Sequence, residues 1–361
     1  MKKVLLGTTA LVAAGLLAQP ALASDPIKLQ VKGYYQNLVT FSDVDEPAGS
    51  TANYKDAQFR HEGEVHFKGE TKLDNGLTVG FDAQLEIVNV GLSGGQPRDM
   101  DETYMYFSGG FGKLQLGAEN GAAYLLHVGV PSVGLGFDDR NFGVAASNGG
   151  HGRPNISGDT AKGTYFTPNM GGFQAGVSYS PNIDHQALSG NGFGVMTVPT
   201  GSVEDVIGLG LKYSGKFGDA SVKVSGGYET GDVVGGGSNV DPEVWSLGLN
   251  VGFSGFTVGA SYADSENYAS GGNFTSGLEA EVWALGLAYK TGPWGVSAGY
   301  QKTDYEIAGA AASGSADEYE LAASYQLGAG VQLRGGLIHA DMDLNTQPDT
   351  TTLFVGTFLS F

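Results

Sequence analysis

The sequence predicts an all-β fold: a transmembrane 16-stranded antiparallel β-barrel with one long connection folded into its lumen. Three observations carry that expectation. Apolar and polar residues alternate in runs of about ten, punctuated by Gly, Asn, Asp and Pro, which is the period-2 pattern of strands with one apolar face. The joins between runs alternate short and long, as in an outer-membrane barrel. Aromatic residues gather at the ends of the apolar faces (Trp245, Phe253, Phe256, Trp283, Trp294, Tyr300 and Tyr325), where interfacial girdles belong.

The chain opens on a targeting segment. Lys2 and Lys3 form a basic start, residues 4–18 are a short apolar run, and Ala21-Leu22-Ala23 is a cleavage site before Ser24. Residues 1–23 therefore read as a cleaved signal peptide and 24–361 as a single barrel domain exported to the outer membrane. The formal net charge of −19 counts both leader lysines, so the chain after residue 23 stands at −21. With no cysteine there is neither a disulfide framework nor thiolate chemistry. The acidic balance argues against nucleic acid, whose partners carry basic patches. No stretch beyond the leader approaches the roughly 18 apolar residues of a membrane helix.

Sixteen strands are expected at 27–44, 58–73, 77–90, 102–108, 112–118, 162–168, 173–182, 205–217, 221–231, 244–253, 256–267, 279–290, 294–307, 317–327, 331–343 and 351–361. Short joins such as Asp74-Asn75-Gly76, Ser254-Gly255 and Thr291-Gly292-Pro293 carry residues that take positive φ or fix a bend. In 244–253 one face is Trp245, Leu247, Leu249, Val251 and Phe253, and the other is Ser246, Gly248, Asn250 and Gly252. A soluble sandwich also alternates. Sixteen strands in an open sheet, however, would leave edges needing protection, and closure removes them.

Residues 119–161 break the beat. A structureless connection longer than about 15 residues is uncommon unless functional or disordered. A disordered tract is poor in apolar residues, yet this one holds Tyr124, Leu125, Leu126, Val128, Val130, Val133, Leu135, Phe137, Phe142 and Val144. It is expected to pack inside the barrel.

The second strand places Arg60, Glu62, Glu64, His66, Lys68, Glu70 and Lys72 on one parity. Facing lipid, each basic residue near the midplane would cost about 2–4 kcal/mol, so this row faces water. Motifs for chemistry are absent. His61 and His66 lie on opposite faces and cannot share a metal. Gly208-Leu209-Gly210 and Gly235-Gly236-Gly237 lack the helix and lysine of a phosphate loop. His339 has no legible Ser/Asp companions. No cofactor is expected, and a calcium ion held by the loops is not readable from sequence.

The sequence resembles the Gram-negative general (diffusion) porin family, in its alpha-proteobacterial branch. The resemblance rests on the terminal strand ending in Phe361 and on Thr164-Tyr165-Phe166-Thr167-Pro168-Asn169-Met170-Gly171-Gly172-Phe173 with Tyr179 beyond it. Val31-Lys32-Gly33-Tyr34-Tyr35 and Asp74-Asn75-Gly76-Leu77 add to it. It implies a homotrimer, periplasmic termini, and a third external loop, here 119–161, folded into the lumen as a constriction. It also implies that acidic loop residues (Asp138, Asp139 and Glu119) oppose basic wall residues (Arg60, Lys68, Lys28, Lys32 and Lys113), setting a transverse field that filters solutes. Phe361 would be the signal read by the outer-membrane insertion machinery. Outer-membrane lipid and lipopolysaccharide would surround the barrel, and Gly33, Gly63, Gly69 and Ala83 would lie at the trimer contact. The implied function is passive diffusion of small hydrophilic solutes and ions, and the net charge of −21 adds an expectation of mild cation selectivity. A substrate-specific porin, a lipase-like enzyme and a plugged structural barrel stay open as alternatives at this point.

Overall fold

In the computed structural model, residues 26–45, 54–87, 100–137, 152–183, 198–235, 240–267, 269–270, 273–274, 277–307, 313–343 and 348–361 are described. The signal peptide expected at 1–23 lies outside them. The strands are β1 (Lys28–Asp45), β2 (Ala57–Lys72), β3 (Thr78–Glu86), β4 (Met100–Gly109), β5 (Gly112–Ala118), β6 (Ala161–Phe166), β7 (Phe173–Asn182), β8 (Val203–Phe217) and β9 (Ala220–Val233). They continue as β10 (Glu243–Phe253), β11 (Phe256–Glu266), β12 (Ala269–Ser270), β13 (Asn273–Phe274), β14 (Leu278–Thr291), β15 (Trp294–Ile307), β16 (Ser313–Gly328), β17 (Val331–Asp343) and β18 (Asp349–Ser360).

Sixteen of these close into one antiparallel barrel, while β12 and β13 form a separate two-residue ribbon within a long connection. The barrel closes where β1 pairs β18, from Tyr34↔Ser360 to Asp45↔Asp349. The pairing extends to reciprocal backbone bonds between Gly33 and Phe361, each 3.0 Å. Closure satisfies every ladder without a free edge, the condition for sheet structure in lipid.

The short joins lie at one end with the start of β1 and the end of β18, and the strands run on to the long connections at the other. At Ser254-Gly255 both residues take positive φ (50° and 86°), so two residues suffice to reverse β10 into β11. Gly76 (φ 85°) closes the β2–β3 turn, where the Asn75 Oδ1 accepts the Leu77 N–H at 3.0 Å.

The faces separate by parity. On β10, Trp245, Leu247, Leu249, Val251 and Phe253 are exposed, and Ser246 is buried on the opposite face. From Trp245 to Phe253 is about 27 Å along the strand. At a usual tilt of about 40° that gives roughly 21 Å along the axis, close to the apolar band of a membrane barrel. Aromatic pairs bound the band at both ends. Phe173–Tyr213, Phe256–Tyr289 and Trp294–Tyr325 (ring centroids 4.6, 4.3 and 4.5 Å apart) stand at the short-turn end. Trp245–Tyr262, Trp283–Tyr300 and Tyr300–Tyr319 (4.9, 5.1 and 4.9 Å) stand at the long-connection end. There Tyr228 donates to Glu243 at 2.9 Å and Tyr300 donates to Asp317, tying the girdle to an acidic rim.

Inward residues explain much of the glycine. The connection from β5 to β6 includes one helical turn (Ala122–Leu125), and its described residues lie against inward positions of β7 through β16. A Cβ on Gly248 would sit 2.0 Å from the Val128 carbonyl oxygen, and one on Gly210 would sit 2.5 Å from that of Ala122. These glycines are where backbone rests directly on the wall. Gly248→Ala is therefore expected to push the connection off β10 and to destabilise the protein by about 1–3 kcal/mol. A lowered thermal unfolding temperature with an altered single-channel conductance would show this, whereas wild-type values for both would contradict it.

Candidate functional site: the lumen

Two walls of different character face the lumen. The far wall, β7 to β16, is polar, and several of its inward groups hold described parts of the β5–β6 connection. Ser178 Oγ accepts the Ala122 N–H at 3.1 Å, Ser225 Oγ that of Val128 at 2.9 Å, and Ser297 Oγ that of Val133 at 3.0 Å. Asn250 Nδ2 donates to the Gly129 carbonyl at 2.9 Å. Two carboxylates make the strongest fixings. Glu320 on β16 accepts the N–H groups of Leu135 and Gly136 at 2.8 and 3.0 Å, and the Ser132 hydroxyl at 2.5 Å. Glu229 on β9, wholly buried, accepts those of Ile156 and Ser157 at 2.8 and 3.2 Å on the returning limb. Each such bond contributes about 0.5–1.5 kcal/mol net, and a buried N–H left without its acceptor would cost about 1–3 kcal/mol.

Apolar packing backs these bonds. Val133 joins Leu38, Ala322, Ile338 and Phe354 in a small core, with Leu135 against it. Ala122 and Leu126 pack on Phe166. At the root of the connection the buried Lys162 ammonium donates to the carbonyls of Glu119, Gly158 (2.6 Å) and Thr160 (2.8 Å), so one cation ties the outgoing and returning limbs together. His127, in the outgoing limb, is lowered to about 4 by burial and by nearby Arg153 and Lys212, so it is neutral at physiological pH.

The near wall, β1 to β5, carries a charged network on its inward face. Tyr34 OH lies 2.9 Å from both Glu62 Oε1 and Glu64 Oε1. Glu64 Oε2 meets His66 Nε2 at 2.9 Å, and Lys68 pairs with the buried Asp82 at 2.6 Å. Tyr106 donates to Glu70 at 2.6 Å. The Lys113 ammonium stands over the Tyr106 and Tyr104 rings, 4.8 and 5.6 Å from their centroids. Arg334 on β17 lies 4.1 Å from the Phe358 centroid and donates to Gln36 at 3.3 Å.

The expected site residues fall as follows. Arg60, Lys68, Lys28 and Lys32 share inward parity, with Lys28 opposite Glu70, Lys32 opposite His66, and Arg60 opposite Leu38. Lys28 and Lys32 stand toward the short-turn end and Arg60 toward the other. Lys113 sits one residue into β5 from its short turn, within electrostatic range of Glu119. Glu119 is buried just beyond β5, where burial raises its carboxyl and the Asn120 N–H, 2.8 Å away, opposes that shift. Asp138 and Asp139 lie outside the described residues. Glu119 joins Glu102 and Asp159, and Glu64 joins Asp101 and Glu102, in two groups whose carboxylate oxygens lie within 4.8 Å of one another. Phe361 lays its ring over Gly33, where a Cβ would meet it at 3.0 Å. His339 is outward and bonds Thr351 at 2.9 Å. Sequence reasoning missed Lys162, Glu229 and Glu320, whose only sequence signal is a charge at inward parity among small residues.

Comparisons with known proteins agree with this architecture. The anion-selective porin from Comamonas acidovorans is 19% identical and superposes with a TM-score of 0.63, over 93% of this chain and 100% of that one. A loop-deletion mutant of OmpT, an outer membrane protein of Vibrio cholerae, is 13% identical with a TM-score of 0.60, over 93% and 100%. A mutant of the Rh. blastica porin is 17% identical with a TM-score of 0.60, over 92% and 100%. No curated protein matches the sequence significantly. The profile of the Gram-negative porin family matches residues 7–344. The chain belongs to the Gram-negative porin family.

Proposed function

We propose that this porin forms a water-filled pore for passive diffusion of small hydrophilic solutes and ions, with a mild preference for cations. One observation carries the reading: the described parts of the β5–β6 connection are bonded to the far wall, so the charged near wall is left to line the passage. The connection is then the constriction, with Asp138, Asp139 and Glu119 on its side and Arg60, Lys68, Lys28, Lys32 and Lys113 on the wall. Inward carboxylates Glu62, Glu64, Glu86, Asp101 and Glu102 toward the long-connection end support the cation preference. In this reading flux follows the concentration gradient. In a planar bilayer under a KCl gradient, large open steps in threes are expected, with a small reversal potential of cation sign. Asp138→Asn with Asp139→Asn should move it toward anions. An anion-sign reversal in the wild type would overturn the selectivity, and a silent membrane would overturn the open pore.

Assembly follows from the outward face of the first strands. Gly63 lies under Tyr35 and Gly69 under Phe81, which leaves a flat apolar surface. We propose that it packs against further copies as a homotrimer in outer-membrane lipid. Ala83 projects from this face, opposite Phe67, and is partly exposed. A heat-labile trimer band on a gel, lost in Ala83→Arg while the monomer keeps its β-structure, is the expected result. An unchanged trimer in that variant would place the contact elsewhere.

A further inference from the structure

The charges on the inner surface are sorted along the barrel axis, which the net charge conceals. Inward carboxylates gather toward the long connections. The inward positions of the short-turn half of β7 to β14 instead carry Lys212, Lys216, Lys223 and Lys290. Around them stand Gln174, Ser214, Asn250 and Thr257, with no carboxylate at any inward position of that half-wall. Among the described residues none of the four lysines has a salt-bridge partner. Lys216, Lys223 and Lys290 are exposed. The near wall at the same end is basic as well, and its two carboxylates are engaged, Asp82 by Lys68 and Glu70 by Tyr106.

Unpaired ammonium groups on the adjacent strands β8 and β9 repel one another, Lys290 adds a further positive charge two strands beyond β9's neighbour β10, and all need counter-ions. A cleft lined by one sign of charge concentrates ions of the other sign, and rings of lysine favour anions and phosphate in pores. We propose that the far wall of the short-turn mouth is a binding site for small multivalent anions bearing phosphate groups, and that the opposed charge of the two mouths makes the pore conduct unequally in its two directions. The four lysines hold the anion transiently by charge, and it exchanges with bulk water because the mouth is open. This rests on the open-pore reading above.

The test uses the intact protein inserted in one orientation in a planar bilayer at about 0.1 M KCl, where the Debye length is about 10 Å. An Asp74→Cys variant, probed with an impermeant thiol reagent, reports which compartment the short turns face. Inorganic pyrophosphate added on that side should reduce the current about twofold or more relative to the same addition on the other side. The inequality of currents at opposite voltages should grow as KCl falls toward 0.01 M, where the screening length reaches about 30 Å. Replacing Lys212, Lys216, Lys223 and Lys290 together by Gln should remove both effects. Lys302→Gln, outward and paired with Asp304 at the other end, should remove neither. Equal block from both sides of a conducting wild-type membrane overturns the proposal, as does a conducting quadruple variant blocked like the wild type. A membrane with no current overturns the open-pore reading itself.

Discussion

A peptide segment laid inside a barrel brings its own N–H and C=O groups with it, and each must find a partner. That constraint organises this protein. Outside its one helical turn, the described parts of the β5–β6 connection take backbone partners from the wall: serine hydroxyls on β7, β9 and β15, an asparagine on β10, and carboxylates on β9 and β16. Each partner must reach the backbone from one inward position, and the backbone must come close enough to be reached. Glycines beside them provide that closeness. Polar donors and acceptors alternate with absent side chains, and the connection follows the track they make.

The same constraint divides the lumen. Where the far wall holds the connection its polar groups are spent on backbone partners, and its lysines at the short-turn end lie outside that track. On the near wall the side chains satisfy one another instead: Tyr34 between two glutamates, Glu64 with His66, and Lys68 with Asp82. Such a network keeps long charged side chains in place on the inward face.

Most of the barrel was legible because its physics is local. Alternation sets the faces, as on β10. Turn residues set the reversals, so Ser254-Gly255 and Asp74-Asn75-Gly76 fall where positive φ or an Asx bond is needed. Boundaries moved by a few residues at the long-connection end, where strands outrun the apolar band and alternation fades; β16 begins at Ser313 rather than 317. The ribbon of β12 and β13, two residues each, is too short to carry any period. The site was less legible because its key bonds join side chains to backbone far away in sequence. Glu229 looks like one more inward acid until Ile156 and Ser157 are seen to donate to it, and Lys162 looks like a solvated lysine until its carbonyls are found. The glycine of Gly248 reads as a small residue in an alternating strand, not as a seat for Val128. Net charge misleads in the same way, since acids at one mouth outnumber but do not neutralise the lysines of the other.

The central claim is that the connection covers the far wall and leaves the near wall open. The absence of native cysteine makes it directly measurable. A cysteine placed at His66→Cys on the near wall and one at Ser297→Cys beneath the connection can each be exposed to a small charged thiol reagent while current is recorded. The account predicts rapid modification and a stepwise fall in conductance for His66→Cys, with Ser297→Cys unreactive in the folded protein and reactive after unfolding. Equal reaction rates at the two positions, or faster reaction at Ser297→Cys, would mean that the connection does not rest on that wall.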